Sequence, residues 1–210
     1  MNDMTDHLIR SVAQLREYIA EPSALVQAKI RPALDVHMRA FIALSPWVDI
    51  GSYGADGRVD VSPRGDPAGF VHVLADGSIL IPERPGNRRA DTLRNIIETG
   101  HVGLLFAVPG RDELLRINGR AVVSRNPEWL ERLVHQGKQP QFAIHVEVEE
   151  AYLHCGRAAN RSKLWRHDTW PAPDALPSMA QMLVDQTALP GLEVSALGEA
   201  LKDLVTNQLY

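Results

Sequence analysis

Cysteine is nearly absent from this sequence, because Cys155 is the only one among its 210 residues. A single thiol cannot form a disulfide within one chain, and it cannot supply a metal site rich in thiolates. A chain without disulfides suits a reducing compartment. We therefore expect a protein of the cytoplasm.

Long hydrophobic runs and an excess of either charge are also missing. No segment approaches the roughly 20 apolar residues that cross a bilayer, and the acidic start of the sequence does not resemble an export signal. The formal net charge is -4 and the pI is about 6.1. We therefore expect a soluble protein that binds neither nucleic acid nor a membrane, in which any basic site is local.

Apolar residues make up 45% of the sequence, which is enough for the core of one substantial domain. We expect a helical leader over residues 1–45, a β-rich body over 46–166, and a proline-rich loop with helices over 167–210. In the leader, apolar residues at helical spacing predict an amphipathic helix over Asp6–Tyr18 and a second helix over Ala33–Leu44.

Turn signals divide the central region into hairpins. The Asp-Gly pairs at 56–57 and 76–77 and the Pro-Gly pair at 109–110 each favour a tight turn. Because helices do not alternate strictly with strands, the pattern favours a closed antiparallel barrel over a parallel sheet. The predicted strands are Trp47–Tyr53, Arg58–Ser62, Phe70–Leu74, Ser78–Pro82, His101–Val108, Glu113–Ser124 and Phe142–Leu153.

A helix is predicted after Asn87, which is a suitable N-cap, with Leu93, Ile96 and Ile97 as its buried stripe and Gly100 at its end. Three further helices are predicted later in the chain. They span Pro127–Val134, Ser178–Thr187 and Glu193–Leu209.

Arg88 and Arg89 would lie in the first turn of the helix that follows Asn87, where the helix dipole disfavours cations. A bound anion would reverse that effect, because two guanidinium groups and free backbone N–H groups together form a phosphate cradle. The alternative is that both arginines point into solvent or pair with Glu83 and Asp91.

Two further basic segments could face a ligand. Arg64 follows Pro63 at the end of a strand, and it could reach a ligand or form a surface pair with Asp66. Lys163 and Trp165 lie in the basic segment at residues 160–166, which could contact a phosphorylated aromatic ligand or form a surface turn with Trp165 as its anchor.

Other reactive side chains have simpler explanations. His145, Glu147 and Glu149 alternate along one strand, and we interpret them as the polar face of that strand rather than as metal ligands. Cys155 has no evident catalytic partner in the sequence, so we interpret it as a small buried residue.

Four segments together resemble the pyridoxamine 5'-phosphate oxidase-like FMN-binding family, and their order matches that family from about Phe41 to Trp165. A bacterial subgroup of probable FMN-dependent enzymes has a Ser-Pro-Arg-Gly-Asp strand end and an Arg-Ser-Lys-Leu-Trp segment like those of this sequence. The segments are residues 57–66, 79–96, 101–106 and 115–121.

This resemblance implies a six-stranded antiparallel split barrel that forms a homodimer, with FMN in the cleft between the subunits. The implied contacts are a phosphate pair, a backbone stretch along the isoalloxazine ring, a strand that borders the flavin, a cation at the pyrimidine edge and a C-terminal contribution. The phosphate contacts are Asn87, Arg88 and Arg89, and the backbone stretch along the ring is Ile81 and Pro82. The bordering strand contributes Val61, Ser62 and Arg64, and Arg116 is the cation at the pyrimidine edge. Lys163 and Trp165 are the C-terminal contribution.

The sequence also departs from true pyridoxamine phosphate oxidases. Their C-terminal Arg-Leu-His-Asp-Arg type motif is missing, and Leu114 stands where those enzymes have a carboxamide near the flavin. We therefore expect an FMN-dependent oxidoreductase that acts on another small molecule, and we assign no catalytic residue. The alternatives are a flavin carrier or redox sensor without turnover, and a barrel that holds haem or a deazaflavin.

Overall fold

The computed structural model describes residues 7–210 of the chain, and this range contains one antiparallel sheet of seven strands. The strands lie side by side in the order β2-β1-β5-β6-β7-β4-β3. They span Trp47–Tyr53 (β1), Val59–Gly65 (β2), His72–Val73 (β3), Ile79–Glu83 (β4), His101–Ala107 (β5), Leu114–Ser124 (β6) and Phe142–His154 (β7).

The resemblance implied six strands, and the seventh is the short strand β3. It pairs only His72 and Val73 with Leu80 and Ile79 of β4 at one edge of the sheet. Residues 70–74 were predicted to form a longer strand. The strand is shorter because Leu74 already belongs to the turn, where its N–H donates to the carbonyl oxygen of Ser78 at 2.8 Å.

Asp-Gly chemistry builds the turns that the sequence predicted. In the first turn the Arg58 N–H donates to Asp56 at 3.0 Å, and Gly57 has a positive φ of 79°. In the second turn the Ser78 N–H donates to Asp76 at 2.9 Å, and Gly77 has a φ of 91°. The aspartate fixes the turn and the glycine tolerates the left-handed backbone.

Eight α-helices accompany the sheet within residues 7–210. They span Val12–Tyr18 (α1), Ala24–Ala28 (α2), Val36–Leu44 (α3), Asp91–Thr99 (α4), Pro127–Arg132 (α5), Arg157–Ser162 (α6), Met179–Thr187 (α7) and Val194–Asn207 (α8). The sequence did not predict α2 or α6. The predicted helix Asp6–Tyr18 falls partly outside the described residues, and within them it begins only at Val12, where Ser11 caps it.

The core lies between the concave face of the sheet and α3. Ile42 of α3, Ile50 of β1, Phe106 of β5, Ile117 of β6 and Ile144 of β7 are fully buried. In β1 and β5 the buried residues occupy every second position, whereas Ile79–Pro82 of β4 are buried in succession, and Leu80 packs with Ala143 and Leu133 in a second, smaller cluster. At about 25 cal/mol per Å² of apolar surface, this burial is the main stabilising contribution to the barrel.

Helix α4 packs on β1 through a partly polar face, and the predicted stripe is wrong at one position. Ile96 is buried, whereas Ile97 is 74% exposed. The buried neighbours of Ile96 are Thr92 and Asn95. Asn95 donates to Ser52 at 3.0 Å, and Thr92 donates to Asp60 at 3.0 Å, so these hydrogen bonds compensate the cost of burying polar groups.

A β-bulge interrupts the pairing of β6 with β7 at Asn118 and Gly119. Asn118 pairs with Glu150 and Gly119 with Val148, so Glu149 is the extra residue and the regular alternation of His145, Glu147 and Glu149 is broken there. No cluster of three potential metal ligands occurs within residues 7–210, and none of their helices is long and apolar enough to cross a membrane.

Candidate functional site

A cavity of about 720 Å³ lies where the two ends of the sheet approach each other. Its walls are β2, the end of β4, the loop that leads into α4, the first turn of α4 and the segment Leu209–Tyr210. The lining residues are 60–66, Phe70, 82–87, 89–92, Leu209 and Tyr210.

Two ion pairs join the sheet ends beside this cavity. Arg64 of β2 donates from Nε to Glu83 of β4 at 2.9 Å, and Arg84 donates from Nε to Asp66 at 2.8 Å. Strands β2 and β4 are separated by four others in the sheet order, so only the curvature of the sheet brings these side chains together. The ion pairs therefore stabilise the closed form of the half-barrel.

Arg64 is held at three points. In addition to the Glu83 contact, its Nη1 donates to Ser62 Oγ at 2.8 Å and to the carbonyl oxygen of Pro63 at 2.9 Å. Within the described chain these bonds use Nε and Nη1, so the two N–H groups of Nη2 are left for a ligand. The predicted alternative, a surface pair of Arg64 with Asp66, is wrong because Asp66 pairs with Arg84.

Burial raises the pKa of the Glu83 carboxyl, and the neighbouring Arg64 guanidinium acts against this rise. The two side chains are only 21% and 12% exposed. Desolvation favours the neutral acid, whereas the ion pair favours the carboxylate. Glu83 is therefore a titratable group in the cavity wall whose charge depends on Arg64.

The loop into α4 does not form the predicted first helical turn. Helix α4 begins at Asp91, with Ala90 as its N-cap, and Asn87 is not the cap. Arg88 and Ala90 have positive φ angles of 63° and 56°, which a right-handed helix cannot accommodate. Asn87 instead accepts a hydrogen bond from the Arg89 N–H at 3.0 Å and so closes a small turn within the loop.

This loop leaves groups that could bind an anion. Arg89 is 74% exposed and lines the cavity, although its Nε donates to Asp91 at 2.7 Å. Arg88 is exposed and forms no ion pair among residues 7–210. No side chain within that range caps α4, so its first N–H groups also remain available. These contacts agree with the predicted alternative, since Arg88 is exposed to solvent and Arg89 pairs with Asp91.

The predicted ring-side residues divide between the cavity wall and the core. Val61, which is 67% exposed, lines the cavity together with Ser62 and Pro82. Ile81 is fully buried and belongs to the hydrophobic core. Its side chain therefore faces away from the cavity. Only the backbone of Ile81 lies on the cavity side, in the strand β4 that borders the cavity.

Three predicted site residues lie elsewhere in the chain. Arg116 of β6 is in register with Leu105 of β5, Asp49 of β1 and Pro63 of β2. Three strand spacings therefore separate Arg116 from Pro63 in the cavity wall, which is about 14 Å along the sheet. Its guanidinium lies 5.7 Å from the centre of the Tyr152 ring. Trp165 donates from its indole N–H to the carbonyl oxygen of Arg111 at 2.8 Å, and Lys163 ends α6 in a left-handed conformation.

Sequence reasoning did not identify Asp66, Arg84 or Tyr210 as parts of the site. The Tyr210 hydroxyl donates to Asp66, and the Arg84 guanidinium lies 5.4 Å from the centre of the Tyr210 ring. Tyr210 is separated from Asp66 by 144 residues. No local pattern reports such a contact, although Arg84 and Asp66 both lie within the segments that carried the family resemblance.

Comparison with solved structures finds matches at low sequence identity. HupZ of Group A Streptococcus is 15% identical with a TM-score of 0.48, and the match covers 57% of this chain and 93% of that chain. A Clostridium acetobutylicum protein related to general stress protein 26, of the pyridoxinephosphate oxidase family, is 13% identical with a TM-score of 0.42, over 57% of this chain and 86% of that chain. HutZ, the haem storage protein of Vibrio cholerae, is 14% identical with a TM-score of 0.39, over 58% and 94%.

Sequence comparison identifies the family more directly. No curated protein sequence matches the chain. The family model described as pyridoxamine 5'-phosphate oxidase, however, matches residues 34–155, which is more than half of the 210 residues and includes all seven strands. This match confirms the split-barrel family that the four sequence segments indicated, and the chain belongs to the pyridoxamine 5'-phosphate oxidase family.

Proposed function

We propose that this protein binds FMN in the cavity between β2, β4 and α4, and that it is a flavin-dependent oxidoreductase for a small organic molecule. The observation that carries the proposal is the convergence, in one cavity of about 720 Å³, of an exposed strand edge with a cationic, uncapped helix start. A phosphorylated planar ligand needs both features, one for its ring and one for its phosphate.

The phosphate would lie at the loop before α4. Arg88 and Arg89 supply guanidinium groups, and the first N–H groups of α4 supply dipoles of the same sign. A phosphate would compete with Asp91 for the Nε of Arg89, and that exchange is favourable because phosphate carries more charge than one carboxylate. Asn87 holds the loop in shape and is a positioning residue.

The isoalloxazine ring would lie between β2 and the end of β4. Val61 offers exposed apolar surface, and the backbone at Ile81 and Pro82 would form the opposite wall. Arg64 could donate its Nη2 N–H groups to a carbonyl oxygen of the ring. Bound FMN would supply the redox chemistry, and these side chains would orient the ring and stabilise negative charge on it.

We further propose that a homodimer completes the site. Arg116, Lys163 and Trp165 lie outside the cavity of their own chain, so they would reach a flavin only from a second subunit. A cleft shared in this way would place Trp165 against the ring and Arg116 near its pyrimidine edge. The substrate would enter through the same cleft.

The test is the visible absorbance spectrum of purified protein after incubation with FMN and gel filtration, with light scattering on the same column. We expect retained flavin bands and the mass of a dimer. In the double variant R88A/R89A we expect FMN affinity to fall at least about 100-fold, because each arginine contributes about 1.5–3 kcal/mol to phosphate binding.

A matched control is the double variant R120A/R125A, which removes the same charge from exposed positions outside the cavity. We expect it to bind FMN like the unmodified protein. Equal affinity in all three proteins would contradict the phosphate assignment. Failure of the folded, unmodified protein to retain FMN would overturn the proposal, and haem or deazaflavin bands would identify the cofactor that replaces it.

A further inference from the structure

The chain returns to the cavity after α8, and its Leu209–Tyr210 segment forms part of the cavity wall. Three side chains surround the Tyr210 ring. Its hydroxyl donates to Asp66, the Arg84 guanidinium lies 5.4 Å from the ring centre, and the His135 ring centre lies 4.9 Å away at an angle of 40°. We call Tyr210, Asp66 and Arg84 the latch.

The two latch residues that receive Tyr210 are largely buried. The Asp66 side chain is 1% exposed, and the Arg84 side chain is 14% exposed. Asp66 is also tied to the barrel through its backbone N–H, which donates to the carbonyl oxygen of Pro46 at 3.1 Å. A hydrogen bond to a buried carboxylate is stronger than one at the surface, because water competes less with the donor.

The protonation state of Tyr210 agrees with this contact. Its hydrogen bond to Asp66 raises the pKa of the Tyr210 phenol, and burial acts in the same direction. The hydroxyl therefore remains a donor across the neutral range. Asp66 can accept from Tyr210 and from Arg84 at the same time, since the two bonds use its two different oxygens.

The rest of the returning segment is held weakly. Within the described chain, α8 has no buried residue, and it packs mainly on α7. Leu204, Val205 and Leu209 are 48%, 67% and 54% exposed. Among the described residues, the hydrogen bond and the ring contacts that join this segment to the rest of the protein are those of Tyr210, and Tyr210 does not belong to the hydrophobic core.

We propose that the Leu209–Tyr210 segment is a cover over the cavity, and that the latch keeps it closed and slows the exchange of the bound ligand. For FMN as that ligand, the inference rests on the proposed function. A ligand behind the segment can leave only after the Tyr210 hydroxyl releases Asp66. The free energy of that opening adds to the barrier for ligand release. Release is therefore slower than it would be from the same cavity without the cover.

The test compares FMN release from the unmodified protein with release from Tyr210→Phe and Tyr210→Ala. Each protein is loaded with FMN and diluted into flavin-free buffer, and the rate of release is followed by flavin fluorescence. We expect release to be about tenfold faster in Tyr210→Phe, which loses one hydrogen bond to a charged group, and faster still in Tyr210→Ala. The control is Tyr18→Ala, which removes a tyrosine that is 77% exposed in α1.

A second readout does not depend on flavin. Hydrogen exchange of the backbone at residues 62–66 and 82–86 is measured in ligand-free protein. We expect faster exchange in both Tyr210 variants and unchanged exchange in Tyr18→Ala. Release and exchange that match the unmodified protein would refute the cover and leave FMN binding intact. If no protein binds FMN, the proposed function fails, and the hydrogen exchange alone decides whether Tyr210 closes the cavity.

Discussion

Arg64 influences the charge of Glu83 in the cavity wall. Its guanidinium is fixed by Glu83, Ser62 and the Pro63 carbonyl oxygen, and it opposes the rise in pKa that burial imposes on Glu83. Because Glu83 lies on the far end of the sheet, the same pair also contributes to barrel closure. Loss of one member leaves the other charge poorly solvated, which costs more than the pair itself contributes.

Replacement of Arg64 by alanine tests this dependence through pH. We expect R64A to lower the free energy of unfolding by about 2–3 kcal/mol at pH 7.5, because Glu83 is left as an unpaired carboxylate. Without Arg64, the folded-state pKa of Glu83 lies further above its unfolded value. Protonated Glu83 favours the folded state of R64A. This contribution is fully present at pH values below the pKa of Glu83 in the unfolded chain, and it is lost as pH rises through the pKa of Glu83 in the folded protein. The deficit of R64A should therefore shrink as pH falls from 7.5 to 5.5.

The measurement is urea unfolding of R64A and the unmodified protein at both pH values. Arg58→Ala is the control, since the Arg58 side chain is 91% exposed in its contact with Asp56. We expect less than about 1 kcal/mol of effect from this control at either pH. A deficit of R64A that stays constant or grows on acidification would show that the charge of Glu83 is not what Arg64 controls.

At the level of elements, the loop of residues 85–90 shows where sequence reasoning succeeds and where it fails. The hairpins around Asp56-Gly57 and Asp76-Gly77 were predictable, because the turn residues determine their own backbone angles. Asn87 was predicted to cap a helix, but it closes a turn inside the loop. An asparagine can satisfy either geometry, and only the positive φ angles of Arg88 and Ala90 decide between them. Arg89 lines the cavity as a member of this loop, but the helical first turn that the sequence predicted around it is not formed.

Because the N-cap residue of α4 is left-handed, we predict that replacing it by glycine stabilises the protein. Ala90 has a φ of 56°, where a Cβ atom costs about 1–2 kcal/mol. Ala90→Gly should therefore raise the free energy of unfolding by about 0.5–1 kcal/mol, net of the greater entropy of glycine in the unfolded chain. Chemical denaturation at pH 7.5 provides the measurement.

Ala43→Gly is the matched control for Ala90→Gly, because Ala43 is an exposed residue of α3. There the same replacement should destabilise the protein by about 1 kcal/mol. If both replacements destabilise the protein equally, Ala90 is not held in a left-handed conformation, and the loop before α4 differs from the one described.

On the scale of the whole molecule, the cavity exists because the sheet curls. Strands β2 and β4 are far apart in the sheet order, yet Arg64 contacts Glu83 and Asp66 contacts Arg84. Sequence patterns could predict the hairpins and the antiparallel barrel, since turn chemistry and strand alternation are local. They could not predict the ion pairs, the bulge at Gly119 or the return of Tyr210, because these depend on how distant segments meet.

The overall arrangement also separates two groups of residues that the family resemblance had joined. Arg88 and Arg89 lie at or beside the cavity, whereas Arg116, Lys163 and Trp165 are not among the residues that line it. In the proposed FMN site, one chain would supply the phosphate contacts and the ring wall, and a second copy would supply the remaining contacts. The proposed dimer follows from this separation.

The most direct test of FMN binding at the α4 loop is an equilibrium titration with FMN and with riboflavin, which lacks the phosphate. Both ligands are titrated into the unmodified protein and into R88A/R89A. We predict that the unmodified protein prefers FMN by at least about 100-fold and that the double variant binds the two ligands almost equally, since the energy of the phosphate contact is then lost. An equally large preference for FMN in both proteins would place the phosphate elsewhere, and no binding of either ligand to the unmodified protein would contradict the account.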